Sequence, residues 1–378
     1  MKFDPTPDIE TVVIGGGVIG LAIAAACADA GHETYLFERN NALGREVSSR
    51  SSEVIHAGLY YPARSLKARM CVTGKQLLYA YARERSVPVR NTGKLIVATS
   101  SVETEALDDI AAKAKANGVE DLEALDASGI HALEPEIAGV KGLFSPSTGI
   151  IDSHALMQAL EADVLNHGGT IVLETEVRNV ALSEHGLFEI EISSGGETAR
   201  ITARNVFAAA GLGMQQIGPR LPHAATYTPP PIYFAKGHYF GLRHKAKFQH
   251  LVYPVPVEGG LGTHLTLDIE GNVRFGPDVQ WIDRIDHAFA DGDGRRQAEF
   301  ERSIRRYWPS LPDNALTPDY TGIRPKVSRE GEPARDFEIH GPRDHGIPNL
   351  VALYGIESPG LTSCLAIARY ATEVVNAG

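Results

Sequence analysis

Thr11-Val12-Val13-Ile14-Gly15-Gly16-Gly17-Val18-Ile19-Gly20 is the stretch on which the fold of this chain turns. The β-branched run 11–14 is too short for a helix and suits a buried parallel strand. It leads directly into G-x-G-x-x-G, and an alanine-rich helical pattern over 21–30 then stops at Gly31, a natural C-terminal cap. Glu33-Thr34-Tyr35-Leu36-Phe37 reads as a second strand and ends at Glu38, 18 residues after Gly20. Glycines permit the tight turn and let N–H groups at the helix start approach a pyrophosphate. An acid at this distance accepts hydrogen bonds from a ribose. Glycine motifs alone arise in ordinary turns, but here strand, loop, helix, strand and acid arrive in order. Gly15, Gly17, Val18, Ile19, Gly20, Glu38 and Arg39 are therefore the expected dinucleotide contacts. The acid at Glu38 disfavours a 2′-phosphate, which leaves FAD or NAD.

Outward from this motif, 378 residues are too many for one simple core and imply two closely joined domains. At 43% hydrophobic and 22% charged, the composition is that of a globular protein. No stretch approaches the roughly 18–20 apolar residues of a transmembrane helix. Residues 1–10 lack the basic-then-apolar order of a secretory signal, so the expected compartment is the cytoplasm. Peripheral docking at an inner membrane is left open as a route to a quinone. Cys27, Cys71 and Cys364 form no CxxC pair, so neither a disulfide framework nor a metal centre is expected. A net charge of -11 argues against nucleic acid as a partner. It also means that an anionic substrate must be met by locally gathered cations.

The sequence after Glu38 separates FAD from NAD. Gly44-Arg45-Glu46-Val47-Ser48-Ser49-Arg50-Ser51-Ser52-Glu53-Val54-Ile55-His56-Ala57-Gly58 resembles the segment that runs along the flavin in the D-amino-acid-oxidase (DAO) and glycerol-3-phosphate-dehydrogenase superfamily. Within that group the chain is similar to the L-2-hydroxyglutarate dehydrogenase/oxidase family. Further matching blocks are Gly58-Leu59-Tyr60-Tyr61 with Ser65-Leu66-Lys67-Ala68, and Tyr253-Pro254-Val255-Pro256 with Gly262-Thr263-His264-Leu265-Thr266. The last is Gly355-Ile356-Glu357-Ser358-Pro359-Gly360-Leu361-Thr362. The resemblance spans nearly the whole chain. It implies a glutathione-reductase-like, Rossmann-type α/β domain holding FAD non-covalently, joined to a discontinuous mixed-sheet α+β substrate domain. It also implies flavin-side contacts from Ser49, Arg50, Ser51, Ser52, His56 and Ala57, adenine-side contacts from Glu176 and Val177, and a pyrophosphate turn at Ala210-Gly211. Arg324 and Gly355, Glu357, Ser358, Pro359, Gly360, Leu361 and Thr362 complete the implied flavin site. Two departures leave the substrate open: Glu53 stands where some members carry glycine, and the chain is compact for the family.

The residues of the closing block agree on their own terms. Val351-Ala352-Leu353-Tyr354 reads as a strand, 355–360 as a turn and 361–375 as a helix, giving a second helix N-terminus that favours negative charge. Such an end would stabilise the charge on a reduced flavin. In the middle, 170–177, 188–192 and 205–208 read as strands of the cofactor domain. The FAD-binding domain is expected over 1–85, 145–215 and 318–378, and the substrate domain over 86–144 and 216–317. Strands at 93–98, 233–242, 251–257, 262–267 and 273–276 suit a mixed antiparallel sheet, with a charged helix at 295–308.

Oxidising an alcohol on a flavin requires a base for the hydroxyl proton, an α-hydrogen facing N5 and cations for the carboxylate. Histidine suits the first task because its pKa lies near working pH. His264, in the alternating run Thr263-His264-Leu265-Thr266-Leu267, is the leading base, although a strand histidine often serves as a hydrogen-bonded core residue. His56 is the second; it also stands in the small-residue setting in which some relatives attach FAD covalently. Arg324, in Gly322-Ile323-Arg324-Pro325-Lys326, offers the planar fork a carboxylate matches. Arg50, Lys67, Lys236 and His238 are candidates for a second carboxylate, and Tyr60, Tyr61, Tyr239 and Tyr253 for orienting polar groups. Each of these also has an ordinary structural role open to it.

The favoured expectation is an FAD-dependent dehydrogenase or oxidase acting on a small anion, L-2-hydroxyglutarate or a similar 2-hydroxy acid, by hydride transfer to N5. Two alternatives stand beside it: an amine or amino-acid oxidase on the same scaffold, and a non-catalytic flavin-binding module. No sequence feature selects among oxygen, a quinone and an electron-transfer protein as the acceptor.

Overall fold

The computed structural model describes residues 6–256 and 262–375. The strand expected over 251–257 therefore runs, at Val257, beyond the described residues, as do the first five residues of the expected signal-free N-terminus. The chain divides into two compact units: Met1–Ser49, Ser153–Phe234 and Arg324–Gly378 form the first, Arg50–Asp152 and Ala235–Ile323 the second.

In the first unit the strand Ile9–Ile14 lies parallel to Thr34–Phe37 on one side and to Glu197–Ala208 on the other. Val12 and Val13 have no exposed surface, as expected of a strand covered on both faces. Parallel pairing continues from Thr34–Phe37 to Thr170–Val172, and from the end of Glu197–Ala208 to Leu350–Tyr354. The start of that twelve-residue strand pairs instead with Phe188–Ser194 in an antiparallel hairpin. The helix Val18–Asp29 follows the glycine loop at once, three residues earlier than its alanine pattern indicates. It is apolar on all sides and packs against the helices Ser153–Asn166 and Gly360–Val375 as well as the sheet, which explains the missing polar stripe. It ends where Gly31, at φ +86°, turns the chain with the bond His32 N–H to Cys27 O of 3.1 Å.

The second unit is organised by a mixed sheet of nine strands among the described residues. Within it Lys94–Ala98 lies parallel to Leu251–Pro254 and antiparallel to Lys141–Ser145. Side chains alternate across this strand: Leu95 and Val97 enter one apolar core with Val252, Leu265 and Phe275. Ile96 and Ala98 enter another with Ala57, Leu59 and Val255. Lys94 shares the second face by parity.

The units differ from the boundaries drawn from sequence. Residues 50–85 and 145–152 belong to the second unit, because Val54–Ile55 and Val89–Arg90 both pair with Gly149–Ile151 in a small sheet of their own. Residues 216–234 join the first unit, tied by Ala224 N–H to His345 O at 2.9 Å and by Tyr227 to His340 at 2.7 Å. Residues 318–323 fall to the second unit within the long strand Leu316–Lys326.

Candidate active site

The nucleotide end of the first unit is assembled from main chain. Gly15 takes φ +106°, and a Cβ there would lie 2.7 Å from the carbonyl oxygen of Ala209. At Gly20 a Cβ would meet the carbonyl of Gly15 at 1.9 Å, so helix and strand approach as closely as they do only because both positions lack side chains. Glu38 is buried, and its carboxylate accepts N–H bonds from Gly16 at 2.7 Å and Asn40 at 2.8 Å, with the Asn40 amide at 2.7 Å. The first free N–H of the helix, Val18, donates to Ser48 Oγ at 2.9 Å; Ser48 was not among the expected contacts, unlike its neighbour Ser49. The blocks scattered along the sequence meet here. Thr175, next to Glu176 and Val177, donates to Glu38 O at 2.9 Å. Ala210 and Gly211 begin the turn that packs on Gly15, and Gly213 lies beside Arg39, whose guanidinium pairs with Glu46.

The closing block belongs to the same unit. Gly355, at φ +67°, ends the strand Leu350–Tyr354, and the helix Gly360–Val375 packs against Val18–Asp29. Glu357 pairs with Lys326 at 2.7 Å, and Thr362 is fully buried. The glycine cradle, the helix start behind it and the buried acid fit the pyrophosphate and ribose of FAD, and a side chain at Gly15 or Gly20 would remove that fit.

The second unit carries a cluster of bases. His264 is 8% exposed and stacks on Tyr253, ring centroids 3.6 Å apart and planes 9° apart. Lys94 is fully buried, with Nζ 4.8 Å from the ring centre of Tyr60 and 4.8 Å from that of Tyr253. Among the described residues its Nζ has no hydrogen-bond partner. His56 follows the strand Val54–Ile55, and its carbonyl accepts the Cys71 thiol at 3.4 Å. Burial, then the positive charges of Lys94 and His264, bring the His56 imidazole down to about 3. Burial likewise lowers the Lys94 ammonium to about 7 and raises the Cys71 thiol to about 12. The Tyr60 and Tyr253 phenols are pushed upward by burial and stay protonated donors at neutral pH.

Of the candidates read from sequence, His56, Tyr60, Tyr253 and His264 thus come together, and Lys94 completes them. Lys94 had been read only as part of a strand. Its signal was present: a cation opening the otherwise apolar run Lys94-Leu95-Ile96-Val97-Ala98. Of the remaining candidates, Arg50, Lys236, His238 and Tyr239 are bonded elsewhere. Arg50 donates to Thr321 O at 3.3 Å. Lys236 is buried and donates to Ala288 O, with Asp286 at 3.8 Å. His238 is bonded by Asp278 at 2.9 Å, which also pairs with Arg296. Tyr239 stacks on Tyr320 at 4.4 Å and meets Ser52 Oγ at 3.0 Å, and Tyr320 in turn donates to Ser51 O at 2.6 Å. The Tyr61 carbonyl accepts from Asn117 at 2.9 Å. Lys67 is buried on the helix Leu66–Glu84, contrary to the solvated position usual for lysine. Ala57 is fully buried, and Arg324 is half-buried on Leu316–Lys326 in the first unit. Glu53, the departure from the family pattern, sits at φ 58° and pairs with Arg274 at 3.4 Å.

Comparison with known proteins follows the same lines. A family model described as FAD dependent oxidoreductase (DAO) matches residues 10–374. The mitochondrial L-2-hydroxyglutarate dehydrogenase of Arabidopsis thaliana is 39% identical over 397 residues, covering 96% of this chain and 82% of that protein. The L-2-hydroxyglutarate dehydrogenase of Escherichia coli (strain K12) is 28% identical over 97% of this chain and 93% of its own. Among solved structures, dithionite-reduced L-alpha-glycerophosphate oxidase from Mycoplasma pneumoniae with FAD bound aligns with a TM-score of 0.87 at 25% identity, covering 97% of this chain and 94% of that one. No helix among the described residues is long and apolar enough to cross a membrane.

Proposed function

The chain belongs to the DAO family of FAD-dependent oxidoreductases, and from that premise we propose that it oxidises a small 2-hydroxy acid, L-2-hydroxyglutarate first among them, to the 2-oxo acid. When bound, FAD supplies the acceptor for the α-hydrogen and its electron pair. The residues that would hold it non-covalently are the 15–20 loop, Glu38, the 175–177 strand start, the 209–211 turn and the start of Gly360–Val375.

The rest of the chemistry is assigned to side chains of the second unit. His264 takes the hydroxyl proton, its ring plane fixed by the face of Tyr253. Tyr60 and Tyr253 orient the substrate oxygens as neutral hydrogen-bond donors. His56, held neutral by burial and then by the charges of Lys94 and His264, lends a polar edge but is too weak a base to compete.

One observation carries this reading: three basic side chains, buried or partly buried, gather in one cluster of a chain whose net charge is -11. The names of the relatives support the choice of substrate. Anaerobic addition of L-2-hydroxyglutarate to the yellow protein should bleach the flavin absorbance within seconds, while glycine and L-proline leave it yellow. Persistent colour with the hydroxy acid would remove the substrate; bleaching by the amino acids would move the chain to amine oxidation.

A further inference from the structure

Lys94 is the residue the proposed reaction does not yet use. It stands on an interior strand of the second unit's sheet, on the face of Ile96 and Ala98, with no exposed surface. Nothing about packing asks for nitrogen there, since an unbranched apolar side chain would fill the same space. Two ring faces, Tyr60 and Tyr253, each 4.8 Å from Nζ, attract the ammonium through their quadrupoles. That attraction is smaller than the hydration an ammonium gives up on burial, which is why the group is held close to losing its proton at neutral pH. Among the described residues no hydrogen-bond acceptor compensates it. His264 and His56, the basic side chains beside it, add no negative charge. A cation kept against the stability of the fold, inside walls that fix its position, is arranged for an anion that arrives from outside.

We propose that Lys94 is the receptor for a substrate carboxylate, with the faces of Tyr60 and Tyr253 as its walls, so that this cluster takes 2-hydroxy acids and rejects uncharged secondary alcohols. The assignment rests on the reading of the chain as a hydroxy-acid oxidoreductase. It makes Lys94 a specificity-determining residue, with His264 left to move the proton.

The test uses the full, FAD-loaded chain and glutarate, a dicarboxylate with no hydroxyl to oxidise, titrated by calorimetry. Lys94→Met should weaken glutarate binding by about 100-fold. Its flavin content should be unchanged, and its ligand-free melting temperature should rise because the buried charge is gone. Binding within about threefold of the parent, or a fall in melting temperature with binding intact, would overturn the receptor and leave Lys94 a structural residue. Should Lys94→Met prove insoluble, Tyr60→Leu opens one wall and should weaken glutarate by about 3- to 10-fold, and unchanged binding there counts against the cage. If the parent protein neither binds glutarate nor is bleached by L-2-hydroxyglutarate, the hydroxy-acid reading itself falls, an outcome distinct from failure in the variant alone.

Discussion

At the nucleotide end of the first unit polar groups are satisfied in place, with Glu38 accepting three N–H bonds and Val18 N–H finding Ser48, whereas in the second unit Lys94 is buried and its Nζ has no hydrogen-bond partner among the described residues. The first region is main chain, shaped by where side chains are missing. The second is side chain, drawn from the segment after Val54–Ile55 and from Lys94–Ala98, Leu251–Pro254 and His264. A satisfied cradle holds an invariant cofactor and gains nothing from residual polarity. An unsatisfied cluster retains electrostatic capacity for a ligand that comes and goes.

The contrast breaks most visibly at Gly20. Gly20→Val places a Cβ 1.9 Å from a backbone carbonyl, which no side-chain movement relieves. The variant should lose about 3 kcal/mol or more of stability and purify colourless, as the ratio of flavin to protein absorbance would report. A yellow, stable G20V protein would mean that the cradle is not set by backbone approach. On the other side, His264→Ala should retain flavin but slow anaerobic bleaching by L-2-hydroxyglutarate about 100-fold or more. Stopped-flow rates close to those of the parent would transfer the base to another group.

Glu38→Gln sharpens the first half of the comparison. An amide in that carboxylate's place turns a donor toward N–H groups of Gly16 or Asn40 and should cost about 2 kcal/mol by urea denaturation, with weaker FAD retention. His56 gives the smallest effect and the clearest sign. Its folded-state pKa of about 3 lies below the ordinary 6.5, so below pH 6.5 the unfolded chain binds the proton that the folded chain refuses. Its neutral form therefore costs the fold nothing above pH 6.5, and stability drains away as pH falls from there toward 3. Between pH 7.5 and 5.5 the parent should lose roughly 1.4 kcal/mol more than His56→Gln. Parallel acid losses in the two proteins would contradict a neutral imidazole at His56.

The same contrast explains what was legible. Gly15, Gly17, Gly20 and Glu38 could be read because their spacing is the geometry: Gly20 closes on Gly15 and Glu38 on Gly16 within the first forty residues, by strand, turn and helix in sequence. The C-terminal turn was readable for the same reason. His56, Tyr60, Tyr253 and His264 were found by residue type and resemblance, and nothing local distinguished them from Lys236 or His238, which bond to Ala288 and Asp278 instead. Lys94 was overlooked because a strand assignment accounted for its neighbours, and strand parity says only that it shares a face with Ile96 and Ala98. The compact units part from the boundaries expected from sequence where pairing is remote, as between Val54–Ile55 and Gly149–Ile151.

By itself, then, the amino-acid order determined the dinucleotide fold, its buried acid and the helix that returns to it, since backbone sterics and short turns leave one way for such residues to meet. Which basic side chains gather in one cluster, and which of them has no hydrogen-bond partner among the described residues, was decided only by tertiary structure. Desolvation and charge coupling act through space, and their distances are set by strands that lie some 170 residues apart in the chain, as Lys94 and His264 do.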